Sequence, residues 1–403
     1  MTRLVHVLSL YEGFFAGGAR ILHSDVVAAL HGSGESRHSV LAIASTAGRD
    51  GSIQRMEDDP RYRRLSADGV AITTLGRVAG GQPPERTSFT DEELRVASEA
   101  VNAADIVLSL KEQPIGLLLA LQDRGLMPDV PVVTCLHRSD PLHSGAALGW
   151  LVEGAATGLV TATVSCAEST SDAYARAGVG ARSRYVIDNG IDTARFRPGS
   201  PAETSATRAV LGVPENAPVV LFAARFDAMK DPGLFLRSVA AHAERNTDTH
   251  YVMCGAGMTW DNDAFRALAE ESGIAPSRRL HALGIRDDMP DLYRIADVVS
   301  LTSAFGEASP LCLIEGASSG ATPVTTNVGD AARRIEGVGV VTPHDADAIA
   351  SAWEHVIGHR AAFRASALAA RDRFGRERMV AEYDQVVDDM LAAADPLRGA
   401  IAG

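Results

Sequence analysis

The stretch Leu301-Thr-Ser-Ala-Phe-Gly-Glu307-Ala-Ser309-Pro310-Leu311-Cys-Leu-Ile-Glu315-Gly-Ala-Ser-Ser-Gly320 reads as a strand end, a loop and a glycine-stopped helix. Ser309 suits an N-cap, Pro310 the first helical position and Gly320 the C-terminal stop. Glu307 then falls in the loop and Glu315 in the second turn, about 10 Å further along the axis. Two carboxylates so far apart cannot share a proton, and a retaining-glycosidase pair needs roughly 5 Å. They suit two parts of one extended ligand, with the helix amides between them favouring phosphate. Glu315 lies among Leu311, Leu313, Ile314 and Ala317, so it is expected to have a partner.

Working outward, strand-like runs alternate with helix-length segments on both sides of this stretch. Leu4–Leu10, Ser39–Ala44, Asp105–Leu110, Val130–His137 and Leu159–Ser165 read as strands of a first α/β series. Val219–Ala224, His250–Cys254, Arg279–Leu283, Asp297–Leu301, Thr322–Thr326 and Gly339–Val341 form a second. Such alternation predicts parallel sheets in two Rossmann-like domains. Asp231 and Pro232 mark a helix start, as N-cap and first helical residue. Gly48–Arg86 is polar and glycine-rich and is expected to loop over the surface. Arg197–Ser205, rich in Pro, Gly and Ser, is the expected linker. The domains are therefore set at 1–197 and 198–375, with a terminal helical segment at 376–403. A cleft between two such domains is the default ligand site.

The chain has 403 residues and a net charge of −13. That balance disfavours nucleic acid and anionic lipid as partners, since both need clustered positive charge. No apolar run approaches the length of a membrane span, and the first residues lead straight into a strand, so a cytoplasmic location is expected. Cys135, Cys166, Cys254 and Cys312 are scattered without metal spacing and read as buried hydrophobes. Lys111 and Lys230 are the only lysines.

Several segments together resemble glycosyltransferase family 4. They are Glu307 and Glu315 with seven residues between, Asn189-Gly-Ile-Asp192 to Phe196-Arg-Pro198, and Arg225-Phe-Asp-Ala-Met-Lys230. Gly255-Ala-Gly257, His281-Ala-Leu-Gly284 and Leu292-Tyr-Arg-Ile-Ala-Asp297 continue the pattern. The match is strong over about 186–330 and weak before it. Ala308-Ser309, Gly316 and Asp231 stand where relatives usually carry other residues.

The resemblance implies a GT-B fold of two Rossmann-like domains facing across a cleft, and a retaining transferase using a nucleotide-diphosphate sugar. UDP-sugar is favoured and GDP-sugar possible; no other cofactor and no metal are implied. It further implies that Arg225 and Lys230 clamp the diphosphate, Glu307 binds the transferred sugar and Glu315 the ribose. Amides of Ala308, Ser309 and Leu311, flanking Pro310, cradle sugar and phosphate. Gly17 or Gly18 faces the diphosphate from the first domain, beside Gly255 from the second, with Ile285 and Arg286 at the base. His137, at the end of its strand, is the first-domain histidine near the sugar. Asp140 and His143 are placed to touch the acceptor. The terminal helix from Arg376 returns to the first domain.

The acceptor is expected to be a small soluble molecule, with an aminocyclitol in antibiotic assembly as the leading candidate. A non-glycosidic pseudo-glycosyltransferase or a nucleotide-sugar binder is the alternative. An NAD-dependent oxidoreductase is less favoured, because Gly255-Ala-Gly257-Met-Thr-Trp260 lacks the third glycine of a dinucleotide fingerprint.

Overall fold

The computed structural model describes residues 4–15, 18–49, 52–80 and 82–394. The chain divides into two compact units, Met1–Asn189 with Arg376–Gly403, and Gly190–Gly375.

In the first unit, strands β1 (Val5–Tyr11), β2 (Ser36–Arg49), β3 (Ser52–Arg55), β4 (Ala71–Ala79), β5 (Ile106–Leu110), β6 (Val132–Leu136), β7 (Ala162–Ser165) and β8 (Ser183–Val186) share one sheet. The order is β3-β2-β1-β5-β6-β7-β8, with β4 also on β2. Only the β2–β3 pairing is antiparallel. Helices α1 (Gly18–Ser33), α2 (Pro60–Ala67), α3 (Asp91–Asn102), α4 (Ile115–Asp123), α5 (Ala146–Ala156) and α6 (Glu168–Arg176) make the crossovers. β5 and β6 are buried at every residue, as strands covered on both faces must be, which is why they read as unbroken apolar runs.

The second unit holds α7 (Pro201–Leu211), β9 (Val219–Ala223), α8 (Pro232–Ala243), β10 (His250–Cys254), α9 (Asp263–Glu271), β11 (Leu280–Ala282), α10 (Met289–Ile295) and β12 (Val298–Leu301). It continues with α11 (Leu311–Ser319), β13 (Thr322–Thr326), α12 (Ala331–Arg334), β14 (Val340–Thr342), α13 (Ala346–Gly358) and α14 (Arg360–Ala369). The strand order is β11-β10-β9-β12-β13-β14. Counted from its first strand this is 3-2-1-4-5-6, the Rossmann order, with a switch point between β9 and β12. One core under this sheet gathers Leu221, Val299, Leu313 and Ala317, and another gathers Phe222, Phe235 and Trp353. The helix α15 (Arg376–Ala394) counts with the first unit.

Three expectations are corrected. Gly48–Arg86 is not mainly loop: it holds the end of β2, β3, α2 and β4. β4 lies beside β2 with only half its residues covered, so it carries no apolar run, and Gly76 at φ 77° breaks the pattern further. The boundary falls at Asn189–Gly190, and the Pro-rich stretch is a helix start instead. Ser200 and Glu203 form a capping box around Pro201, so the residues that read as a linker are those that open α7. Finally, Pro310 is the N-cap of α11 and Leu311 its first residue. Gly320 ends that helix in the left-handed conformation, φ 95°, as the sequence implied.

Candidate active site

The loops that leave β9 and β12 meet at the second unit's switch point. Ala224 N–H donates to Cys254 O at 3.0 Å and Phe226 N–H to Ala256 O at 2.8 Å, steering the first loop along β10. Gly255 permits this: at φ 134°, a Cβ there would lie 2.0 Å from Ala224 O. Asp227, which the sequence pattern did not single out, then organises the loop. Its Oδ1 accepts from Lys230 N–H at 3.0 Å and its Oδ2 pairs with Arg225 Nη2 at 2.9 Å. Asp231 follows in the left-handed region, φ 42°, and caps α8 through Leu234 N–H at 2.9 Å. His344 Nε2 lies 3.0 Å from its other oxygen.

The second loop is fastened to the first. Ala304 N–H donates to Met229 O at 2.9 Å, and Thr302 Oγ1 donates to Asp231 O at 2.9 Å. Glu307, only 4% exposed, meets Lys230 there: Nζ and Oε1 are 2.5 Å apart. Ser303 Oγ donates to the same oxygen at 2.5 Å. A charge buried this deeply needs such partners. Gly329, in the loop after β13, closes in from behind. It has φ 56°, and a Cβ would fall 1.7 Å from Glu307 O. Only glycine allows the backbones to approach this closely.

Ala308, Ser309 and Pro310 are buried beside Glu307, and Leu311 is half-buried. They lead into α11, whose first-turn amides lack intrahelical acceptors. Glu315 has its partner: Tyr293 OH donates to Oε2 at 2.8 Å. Burial pushes the Glu315 carboxyl pKa upward, and the Tyr293 hydrogen bond opposes that. Gly316 is a packing residue, since a Cβ there would sit 2.5 Å from Val299 Cγ2. Arg286 pairs with Asp288 through Nε at 2.8 Å, and Ile285 is exposed. Arg225 is also largely exposed. The structure thus brings Arg225, Lys230, Gly255, Glu307 and the start of α11 to one sheet edge. Ile285 and Arg286 follow β11, two strands away.

In the first unit, Gly17 lies outside the described residues, and Gly18 is the exposed first residue of α1. His137 follows β6; its Nε2 is buried without a hydrogen-bond partner among the described residues. Burial, with a smaller push from Lys111, lowers its pKa to about 3, so the ring is neutral. Asp140 Oδ2 lies 2.8 Å from His143 Nδ1, and Asp140 Oδ1 accepts from Leu142 N–H at 3.0 Å. Both side chains are exposed on a short turn after His137.

Three of the cysteines are buried and Cys312 is half-buried. Burial raises the thiol pKa of Cys135, Cys254 and Cys312 to about 12. Among the described residues, no three His, Cys, Asp or Glu side chains group as a metal site would. No described helix is long and apolar enough to cross a membrane.

Residues 217–359, all in the second unit, match the sequence model of the family described as Glycosyl transferases group 1. The D-inositol 3-phosphate glycosyltransferase of Corynebacterium kroppenstedtii is 33% identical over 150 residues, which is 36% of this chain and 33% of that protein. The enzyme of the same name from Salinispora arenicola is 30% identical over 234 residues, 54% of this chain and 52% of its own. The matched stretch therefore spans about a third to a half of these relatives. Anabaena Alr3699/HepE in complex with UDP superposes with a TM-score of 0.75 at 20% identity, covering 96% of this chain and 100% of that one. Sucrose-phosphate synthase from Thermosynechococcus elongatus gives 0.69 at 19% identity, with the same coverage of both chains. The fold is GT-B, an α/β fold with parallel sheets.

Proposed function

We propose that this protein is a retaining glycosyltransferase that moves a sugar from a UDP-sugar to a hydroxyl of a cyclitol acceptor. The observation that carries the reading is the buried Lys230–Glu307 pair at the switch point of the second sheet. It joins a cation suited to a diphosphate to a carboxylate suited to sugar hydroxyls, with a helix N-terminus beside them. Glu315, held by Tyr293, takes the ribose. The family resemblance, the matching family model and the UDP named for the HepE complex all support this donor.

In this reading the second unit binds the donor and the first the acceptor. Arg225 and Lys230 stabilise the charge that develops on the leaving diphosphate. Glu307 releases part of its bond to Lys230 and orients the sugar, with Ser303 fixing its rotamer. The acceptor hydroxyl attacks on the face the diphosphate leaves. Its proton passes to the departing phosphate oxygen, so the anomeric configuration is kept and no protein nucleophile is needed. His137, neutral at physiological pH, contacts the sugar, and Asp140 and His143 border the acceptor. An inositol ring, named for the relatives' substrate, and the aminocyclitol expected from the sequence share the cyclitol framework. The reaction takes place in the cytoplasm.

The test is release of UDP from a panel of UDP-sugars, with GDP-sugars in parallel, in the presence and absence of cyclitols. UDP release that is lost in Glu307→Ala supports the reading. A preference for GDP-sugars would correct the base. An inverted product by NMR would end the retaining assignment. No turnover with any donor, with UDP affinity unchanged in Glu307→Ala, would overturn the function itself.

A further inference from the structure

The fold places each of the two lysines at a switch point. Lys230 follows β9, where the second sheet reverses its order. Lys111 follows β5, which neighbours β1 where the first sheet reverses. The first lysine is tied to Glu307, whereas Lys111 Nζ has no hydrogen bond or ion pair among the described residues. Lys111 also sits in the left-handed region, φ 67°; the only other described non-glycine residue with positive φ is Asp231, next to Lys230. Its backbone is pinned there, N–H donating to Cys135 O at 2.9 Å and the carbonyl accepting from Ser109 Oγ at 3.0 Å. Strain of this kind clusters at functional sites.

The neighbours of Lys111 leave positive charge in excess. Glu12, after β1, is taken up by Arg20 at 2.7 Å. Glu112 is fully buried, and its Oε1 accepts from Ser144 Oγ at 2.9 Å. Among the described residues Arg138, after β6, pairs with no acid: its Nη1 reaches His143 O at 3.4 Å, and its Nε is buried without a partner. Glu112 Oε2 and His137 Nε2 are likewise buried without partners. Unmet donors on Lys111 and Arg138, which follow the adjacent strands β5 and β6, mark a site completed from outside. Burial, then the charges of Arg20 and Arg138, lower the Lys111 pKa to about 8; Glu12 and Glu112 oppose this more weakly.

We propose that Lys111 and Arg138 form an anion subsite for the acceptor, which carries a phosphoryl or carboxylate group. This rests on the assignment of the first unit to the acceptor. Lys111 supplies a point charge that a rotating oxyanion can meet, and Arg138 a planar donor set. An ammonium group there would face two like charges, so the subsite revises the aminocyclitol expectation. The net charge of −13 belongs to the whole surface and says nothing of this edge.

Because the chain holds two lysines, amine labelling reads both sites in one experiment. The intact protein is pulsed with an N-hydroxysuccinimide ester, and each lysine peptide is followed by mass spectrometry. Near-saturating inorganic phosphate or acetate is expected to slow labelling of Lys111 about tenfold, as occupancy dictates. Protection by phosphate alone assigns a phosphoryl group, and by acetate alone a carboxylate. UDP is expected to slow labelling of Lys230. If UDP protects Lys230 while neither anion protects Lys111, the subsite is overturned and the donor reading stands. If phosphate protects Lys111 while UDP leaves Lys230 unchanged, the subsite stands and the donor reading falls.

Discussion

Lys230 and Glu307 meet at 2.5 Å although 77 residues separate them in sequence, one loop leaving β9 and the other β12. Their pairing at the second unit's switch point couples the proposed donor site to stability. Lys230→Met leaves the Glu307 carboxylate buried with Ser303 as its one side-chain partner among the described residues, and is expected to cost about 3 kcal/mol in urea unfolding. Adding Glu307→Gln should recover much of that loss. A strictly additive double mutant would contradict the coupling.

Gly329→Ala is expected to damage the site from outside it. The left-handed backbone alone costs about 1–2 kcal/mol for alanine, and the added Cβ overlaps Glu307 O. Lower stability together with weaker UDP-sugar binding is expected. Loss of stability with unchanged donor affinity would show that Gly329 serves folding only.

Tyr293→Phe removes the donor to Glu315 while keeping the ring in its core. One such bond to a half-buried charged acceptor is worth about 1–2 kcal/mol. KM for the donor should therefore rise about tenfold, with kcat little changed. A fall in kcat at constant KM would place Glu315 in the chemical step instead.

Much of this site was legible because its signals are local. Asp231-Pro232 capping α8 and Gly320 ending α11 need only neighbouring residues, and both stand as read. Glu315 among apolar residues announced a partner without naming it; Tyr293 is supplied by a different helix, 22 positions back. Asp227 and Gly329 act through contacts that folding creates, so their types alone said little. Gly329 is required by one carbonyl oxygen of another loop. Ser200-Pro201 failed differently: cap residues and linker residues are the same residues, and only Glu203 distinguished them. β4 escaped because a half-covered strand carries no apolar run.

Acid should unfold the protein early. Burial is the main cause lowering the pKa of His23, His38 and His137 to about 3, from an ordinary 6.5. Between those values the unfolded chain binds protons that the folded chain refuses, so stability rises with pH across this window. The contribution is complete above pH 6.5 and drains as pH falls toward 3. Unfolding at pH 5 should take up about three protons from these groups. Urea midpoints at pH 7 and pH 5 measure the effect, and an equal or higher midpoint at pH 5 would contradict it.

The chain enters the second unit after Asn189 and leaves it after Gly375. These two points are joined: Ile191 bridges Gly375, and Ile191 N–H donates to Phe374 O at 2.8 Å. On the other side Arg378 Nη2 donates to Asp188 O at 2.6 Å. The second unit is therefore a cassette spliced into its host at one seam, with its own ends already stitched together. Genetic exchange at that seam would carry the cassette over whole, with both of its ends already closed.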